Sequence, residues 1–118
     1  MPLDPRQFLP LKPVDLQLLL ELSIEEQHGY GLVQAVERAT DGLVSLDPGN
    51  LYRVIKRLLA DGLIAESDRR RAAELGEERR RYYGLTALGG RVLAEELTRL
   101  RALVRTPAAR AAVRGWGA

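Results

Sequence analysis

The sequence predicts a mainly helical domain with a small two-stranded β-sheet. A helix with clear start and end signals lies between Asp47 and Gly62, and a long helix with a leucine stripe is predicted over residues 86–106. Between these two helices the hydrophobic pattern changes from a helical period to the alternation of strands. With 118 residues, 46% of them hydrophobic and 29% charged, the chain is long enough for one domain with a single modest core.

The helix between Asp47 and Gly62 has clear signals at both ends. Asp47 can accept hydrogen bonds from the free N–H groups of the first turn, and Pro48 suits the first helical position because it lacks an N–H. Gly62 supplies the left-handed residue that commonly ends a helix. Apolar side chains recur between the two ends at the spacing of one buried face: Leu51, Val54, Ile55, Leu58 and Leu59.

The opposite face of this helix is basic and polar. It carries Asn50, Arg53, Lys56, Arg57 and, toward its edge, Tyr52. No acidic residue lies between Asp47 and Asp61. A helix with an apolar back and a basic front suits insertion into the major groove of DNA. The alternative is an ordinary surface helix whose positive face is only solvated.

Two more helices are predicted before this one, which gives the three-helix core of a helix-turn-helix domain. Residues 1–12 are rich in proline and are predicted to form an extended arm. Pro13 then opens a leucine-rich helix that runs to about Glu25. The His28–Gly31 segment marks a tight link, after which a second helix should fade by Asp41. Short links between three successive helices are typical of DNA-binding helix-turn-helix domains.

Two strands joined by a charged loop predict a wing after the basic helix. The strands are expected over Leu63–Ser67 and Arg79–Leu85, with Asp68–Glu78 as the loop. Residues 13–85 would therefore form a winged helix-turn-helix domain. Its wing arginines could reach phosphates or a minor groove: Arg69, Arg70, Arg71, Arg79, Arg80 and Arg81. Because the same loop also carries glutamates, the alternative is a loop whose positive charges are partly neutralised by its own acids.

A last long helix is predicted over residues 86–106. Thr86 suits its N-cap, while Gly89 and Gly90 should weaken its first turns. Its apolar residues follow a coiled-coil spacing that predicts a dimer interface: Leu93, Leu97, Leu100, Leu103 and Val104. The seam spans only about one and a half heptads, so packing back onto the same domain is the alternative. Pro107 is expected to end the helix and leave a basic tail over residues 107–118.

Composition excludes several kinds of chemistry. The chain has no cysteine and one histidine, His28, which beside a turn is more often a cap or a core residue than a catalyst. We therefore expect neither an enzyme nor a metal or cofactor site. The lack of a long apolar run predicts no membrane span or leader, and we expect a cytoplasmic protein.

Three segments together resemble the PadR family of transcriptional regulators. They are His28–Glu37 (HGYGLVQAVE), Pro48–Ile64 (PGNLYRVIKRLLADGLI) and Arg80–Leu93 (RRYYGLTALGGRVL), and with their spacers they cover residues 13–104. Each motif alone is weak, but their order and separation are specific. The resemblance implies a winged helix whose C-terminal helix dimerises. It also implies that Tyr30 is a core or phosphate-contacting residue, and that Gly49, Asn50, Tyr52, Arg53 and Lys56 read DNA.

The function expected from the pattern and the resemblance is sequence-specific binding of double-stranded DNA by a homodimeric repressor. Two-fold symmetry predicts a palindromic operator. A winged-helix module that binds other proteins without specific DNA binding is the alternative. Members of the family sense small molecules at or near the dimer interface, so a small-molecule effector is a further partner to consider. Phe8 and Trp116 are the aromatic residues that could approach such a site from the chain ends.

Overall fold

Helices and a small antiparallel sheet surround one hydrophobic core. A computed structural model describes residues 3–67 and 81–117. The helices are α1 (Pro13–Ile24), α2 (Gly29–Ala39), α3 (Pro48–Ala60), α4 (Ala87–Val104) and α5 (Pro107–Trp116), preceded by a short 3-10 helix (Pro5–Phe8). The strands are β1 (Gln27–His28), β2 (Ile64–Glu66) and β3 (Tyr82–Leu85). The mainly helical winged fold predicted from the sequence is confirmed.

The core lies where α1, α2, α3 and the first half of α4 meet the sheet. Its fully buried side chains include Leu18 and Leu19 of α1, Leu32 and Val36 of α2, Leu58 of α3, Leu63 before β2, and Val92 of α4. The predicted apolar face of α3 is buried, because Leu51, Val54, Ile55 and Leu58 all belong to this core and Leu59 packs against it. Burial of this face fixes which side of α3 is left to solvent.

The sheet has three strands within the described residues, rather than the two predicted for the wing. The strand order is β1-β3-β2, and both pairings are antiparallel. In β1, Gln27 pairs with Tyr83 and His28 with Tyr82. A strand of two residues is too short to show alternation in a sequence, so the pattern reveals only a link there. The predicted wing loop over residues 68–78 lies outside the described residues.

The N-terminal segment is packed on the domain and is not a simple extended arm. Asp4 caps the 3-10 helix, since its Oδ1 accepts from the backbone N–H of Arg6 at 3.0 Å. Phe8, Leu9 and Leu11 then pack against the core. The backbone N–H of Leu11 donates to Oε2 of Glu96 at 2.7 Å, which fastens this segment to α4. Prolines exclude a long α-helix here but not a single 3-10 turn.

The predicted tail after Pro107 is a helix over most of its length. Thr106 caps α5, because its hydroxyl accepts from the backbone N–H of Ala109 at 3.2 Å, and Pro107 occupies the first helical position. The predicted basic tail therefore contains a helix over residues 107–116, which the sequence analysis did not assign. The signal was present in the sequence, since Thr106-Pro107 is the same kind of helix start as Asp47-Pro48.

Gly89 lies in a contact too close for any side chain, so its role goes beyond the predicted weakening of the first turns of α4. A Cβ atom built on Gly89 would lie 2.0 Å from the carbonyl oxygen of Leu63. The first turn of α4 therefore lies against the backbone that enters β2. Thr86 strengthens the same junction, because its Oγ1 donates to the carbonyl oxygen of Gly62 at 2.6 Å while it accepts from the N–H of Gly89 at 3.0 Å.

Substitution of Gly89 with alanine should therefore destabilise the protein strongly. The new methyl group must push α4 away from Leu63, and overpacking of this kind costs about 1–3 kcal/mol or more. Gly90→Ala is the matched control, because its Cβ would meet nothing closer than Leu85 Cδ2 at 3.8 Å. Alanine is the better helix former, so Gly90→Ala should be neutral or stabilising by up to about 1 kcal/mol. Urea unfolding monitored by circular dichroism measures both, and equal effects would contradict the proposed contact.

Glu96, the buried carboxylate that fastens the N-terminal segment to α4, has a shifted pKa in the folded protein. Hydrogen bonds from the Arg99 guanidinium, with a further one from the Leu11 N–H, hold the pKa of Glu96 below its ordinary value of 4.5 against the opposing effect of burial. A carboxylate with a lowered folded pKa stabilises the native state above its unfolded pKa and loses this contribution as pH falls through the folded pKa.

The stability difference between the wild type and Glu96→Gln should accordingly shrink as pH falls below 4.5. Urea unfolding from neutral to acidic pH measures this difference, with Glu95→Gln at the exposed neighbouring position as a control for the loss of a carboxylate. Glu96→Ala should cost about 1–3 kcal/mol at neutral pH, because it leaves the Leu11 N–H without its acceptor. A difference between wild type and Glu96→Gln that does not change with pH would refute the role of the Glu96 charge.

Candidate nucleic-acid interface

Helix α3 has the ends that its sequence predicts. Oδ1 of Asp47 accepts from the backbone N–H of Asn50 at 2.8 Å, and Pro48 occupies the first turn. Gly62 adopts a left-handed conformation with φ of +76°, directly after the last turn. The N–H of Leu63 donates to the carbonyl oxygen of Leu58 at 3.0 Å, which closes the end of the helix. These contacts fix the length of α3 and the direction of its exposed face.

The exposed residues of α3 include Gly49, Tyr52, Arg53 and Lys56, which lie on one face of the helix. Tyr52 is 66% exposed although it is aromatic. Among the described residues, neither Arg53 nor Lys56 forms an ion pair. Their charges are thus available to an anionic partner. The structure brings these four predicted residues together on one surface.

Asn50 and Arg57 lie on the flank of α3, two turns apart, and both are half-buried. Arg57 differs from the other predicted residues, because its Nη2 donates to both carboxylate oxygens of Asp15 at 2.5 and 2.6 Å. This ion pair joins α3 to the first turn of α1. Arg57 is therefore held by an acid of another helix, although its side chain is still 40% exposed, and its contact with DNA stays a prediction. No local signal marks Asp15, since its partner is 42 residues away in the sequence.

Tyr30 lies on the surface beside the start of α3, so its placement in the core is excluded. Its ring is 64% exposed, and its hydroxyl accepts from Nε2 of Gln34 at 3.2 Å. The neighbouring Gly29 is close to α3, because a Cβ there would lie 3.2 Å from Cδ2 of Leu51. The start of α2 therefore packs on the first turn of α3, and Tyr30 beside it is open to solvent.

His28 caps α2, as expected for a lone histidine beside a turn. Its Nδ1 accepts from the backbone N–H of Gly31 at 3.0 Å, which assigns a ring without a proton on Nδ1. The ring also packs edge-on against Tyr82, with centroids 5.3 Å apart and an interplanar angle of 88°. His28 thus joins the start of α2 to the sheet, which is a structural role.

The described base of the wing carries one predicted DNA contact, Arg81. Its Nη1 lies 3.4 Å from Oε1 of Glu66 on β2, and both side chains are largely exposed. Tyr83 is buried beneath this pair, and burial raises the pKa of its phenol, with a smaller effect from the charge of Glu66. Arg80 and the other wing arginines predicted from the sequence, Arg69, Arg70, Arg71 and Arg79, lie outside the described residues.

Helix α4 divides the predicted dimer seam into a packed half and an exposed half. Leu93 is buried in the core together with Val92. Leu97 is 40% exposed, Leu103 is 50% exposed and Val104 is 63% exposed, while Leu100 is half-buried. Beyond them, Val113 and Trp116 of α5 are also exposed. The first half of the seam therefore packs on its own domain, whereas dimerisation through the exposed second half stays a prediction.

Within residues 3–67 and 81–117, no group of histidine, aspartate and glutamate side chains is arranged to hold a metal ion. In that same part of the chain, no helix combines the length and apolar character needed to cross a bilayer.

The arrangement of α1–α3, wing and α4 corresponds to a known family. A family model described as the transcriptional regulator PadR-like family matches residues 18–95, more than half of the chain. The chain belongs to the PadR-like family of transcriptional regulators. Membership supports a DNA-binding regulator and not an enzyme, in agreement with the sequence expectation. Among proteins with curated descriptions, none matches this PadR-like chain.

Solved structures share the fold of this PadR-like regulator. RosR from H. salinarum aligns with a TM-score of 0.66 at 21% identity, over 92% of this chain and 91% of its own. A PadR family transcription regulator from Clostridium difficile aligns with a TM-score of 0.65 at 22% identity, over 78% of this chain and 91% of its own. A transcriptional regulator from Clostridium thermocellum aligns with a TM-score of 0.62 at 25% identity, over 83% and 84%.

Proposed function

We propose that this PadR-like protein is a homodimeric repressor that binds a palindromic operator through α3. The observation that carries the proposal is the exposed face of α3. It presents Arg53 and Lys56, neither of which pairs with an acid within the described residues, on a helix whose back is buried in the core. A helix of this kind can enter the major groove, which is wide enough to admit it.

The residues proposed to contact DNA would have different roles, which follow from the chemistry of their side chains. Arginine donates two hydrogen bonds to guanine and asparagine pairs with adenine, so Arg53 and Asn50 are the residues that would select bases. Gly49 carries no side chain, which allows the start of α3 to approach the DNA closely. Lys56 and the hydroxyl groups of Tyr30 and Tyr52 would contact phosphates, which position the protein without reading sequence.

Arg81 at the base of the wing would add a phosphate contact. Its ion pair with Glu66 is solvent-exposed, and exposed pairs of this kind contribute little to stability. Arg81 can therefore exchange Glu66 for a phosphate, while Glu66 returns to water at small cost. Arg80 belongs to the same proposal by its sequence position.

The second half of α4 would form the dimer interface. Leu97, Leu103 and Val104 are exposed large apolar side chains at the end of a long helix. Burial against a second copy would recover about 1.5–3 kcal/mol for each one fully covered. Two copies related by a two-fold axis would place two α3 helices on half-sites about one DNA turn apart, ~34–36 Å.

The proposal includes a response to a small-molecule effector. The two aromatic residues that could contact it, Phe8 and Trp116, differ in their exposure. Phe8 is half-buried against the core, so less of its ring is open to a ligand. Trp116 is 92% exposed and is the aromatic residue at the chain ends that a planar effector could stack on.

Alanine substitutions in α3 test the reading residues. Asn50→Ala or Arg53→Ala should each weaken operator binding by about 1–3 kcal/mol and relax the base preference at one position. Arg81→Ala is the control for general binding, and it should weaken all duplexes alike and reduce the salt slope by about 0.9. Selection of bound genomic fragments supplies the operator, and fluorescence anisotropy supplies the affinities. Unchanged operator binding by both α3 variants would show that α3 is not the reader.

Charge substitutions in α4 test the dimer. The double change Leu97→Glu and Leu100→Glu should yield a folded monomer in sedimentation, because it places four carboxylates at the symmetric interface. This monomer should lose tight operator binding because it holds one half-site. Ala102→Glu, an exposed position on the opposite side of α4, should leave the dimer intact. A wild type that sediments as a monomer at micromolar concentration would refute the dimer.

A further inference from the structure

The ion pair between Asp15 and Arg57 is partly buried and links two elements of the DNA-binding domain. Both carboxylate oxygens of Asp15 accept from one guanidinium nitrogen of Arg57, at 2.5 and 2.6 Å. The Asp15 side chain is only 11% exposed, whereas that of Arg57 is 40% exposed. A carboxylate in such a position needs its partner, because an unpaired buried charge is strongly unfavourable.

Arg57 stands close to the proposed DNA-reading residues. It follows Arg53 by four residues and Asn50 by seven, so the three side chains form a row along one side of α3. No acidic residue of α3 itself lies in this row. A guanidinium at this position that was not held by α1 would extend the cationic surface of Arg53 and Lys56 by one charge.

The ion pairs Glu66–Arg81 and Asp15–Arg57 differ in how well water could solvate the carboxylate if the arginine moved to a phosphate. Release of Arg81 leaves Glu66, whose side chain is 42% exposed and can be solvated by water. Release of Arg57 leaves Asp15 in a site that water hardly reaches. A phosphate can thus compete with Glu66 for Arg81 but competes poorly with Asp15 for Arg57.

From this contrast, we propose that Asp15 is a specificity-determining residue that withholds Arg57 from DNA. The inference rests on the proposed binding of DNA through α3. Asp15 removes one phosphate contact from the recognition surface, and phosphate contacts stabilise operator and non-operator DNA alike. With Arg57 held, the remaining affinity depends more on base contacts from Asn50 and Arg53. Asp15 therefore raises the ratio of specific to non-specific binding.

The test compares Asp15→Asn, Arg57→Met and the double variant with the wild-type full chain. The probe is a 20-base-pair duplex of mixed sequence without the operator, and anisotropy gives the affinity across a salt series. Asp15→Asn should make the slope of log affinity against log salt more negative by about 0.9, the value for one added phosphate contact. Its gain in affinity should then be about 3.5-fold larger at 50 mM than at 200 mM salt. Arg57→Met and the double variant should keep the wild-type slope.

Each other result contradicts the proposal in a recognisable way. A wild-type slope for Asp15→Asn would show that Arg57 does not reach DNA when released. A slope reduced by about 0.9 in Arg57→Met would show that Arg57 already contacts a phosphate in the wild type. Circular dichroism checks folding, and Asp15→Ser replaces Asp15→Asn if the latter unfolds. Absence of DNA binding by the wild type would refute the proposed function itself, whereas binding with unchanged slopes refutes only this inference.

Discussion

Burial of one face of α3 is the constraint on which the rest of the structure depends. Leu51, Val54, Ile55 and Leu58 must all reach the core, and the Asp47 cap and Gly62 leave no freedom to shift the helix along the chain. Once these side chains are buried, the polar side of the same helix must face solvent. The proposed interface for DNA is thus a direct consequence of core packing, since a helix cannot bury one face without presenting the other.

Carboxylates decide which of the arginines are available at the surface. The pairs Asp15–Arg57, Glu66–Arg81 and Glu96–Arg99 each neutralise one guanidinium, whereas Arg53 has no such partner among the described residues. Burial of the carboxylate sets the strength of each restraint, because water can replace the arginine only where it reaches the acid. A formal net charge of +2 therefore says little about the interface, and the location of the acids says more.

Along α4, the apolar side chains change from buried to exposed. Its first turns are fixed by the contact of Gly89 with Leu63 and by the burial of Val92 and Glu96. Its later turns and α5 expose apolar side chains that a single copy of the chain does not cover. The exposed seam of the proposed dimer therefore belongs to a helix whose first turns are packed into the core of the winged domain.

The sequence by itself determined the elements whose causes are local. Caps, prolines and glycines lie next to the helices that they start or end, so the bounds of α3, the start of α4 and the apolar face of α3 could be predicted from neighbouring residues. The change from a helical period to strand alternation after Gly62 added the wing, and the order of the PadR-like motifs agreed with it. Local rules also contained the start of α5, where Thr106 precedes Pro107 as Asp47 precedes Pro48.

Only the tertiary structure decided which distant residues meet. The pairing of β1 with β3, the contact of Gly89 with Leu63 and the ion pair of Asp15 with Arg57 join residues that are far apart in the chain. Neither partner carries a local signal for the other, since an aspartate on a helix and an arginine on another helix are ordinary surface residues in a sequence. Folding brings them together because the shared core fixes the relative positions of α1 and α3, and so determines which cations of α3 remain unpaired at the surface.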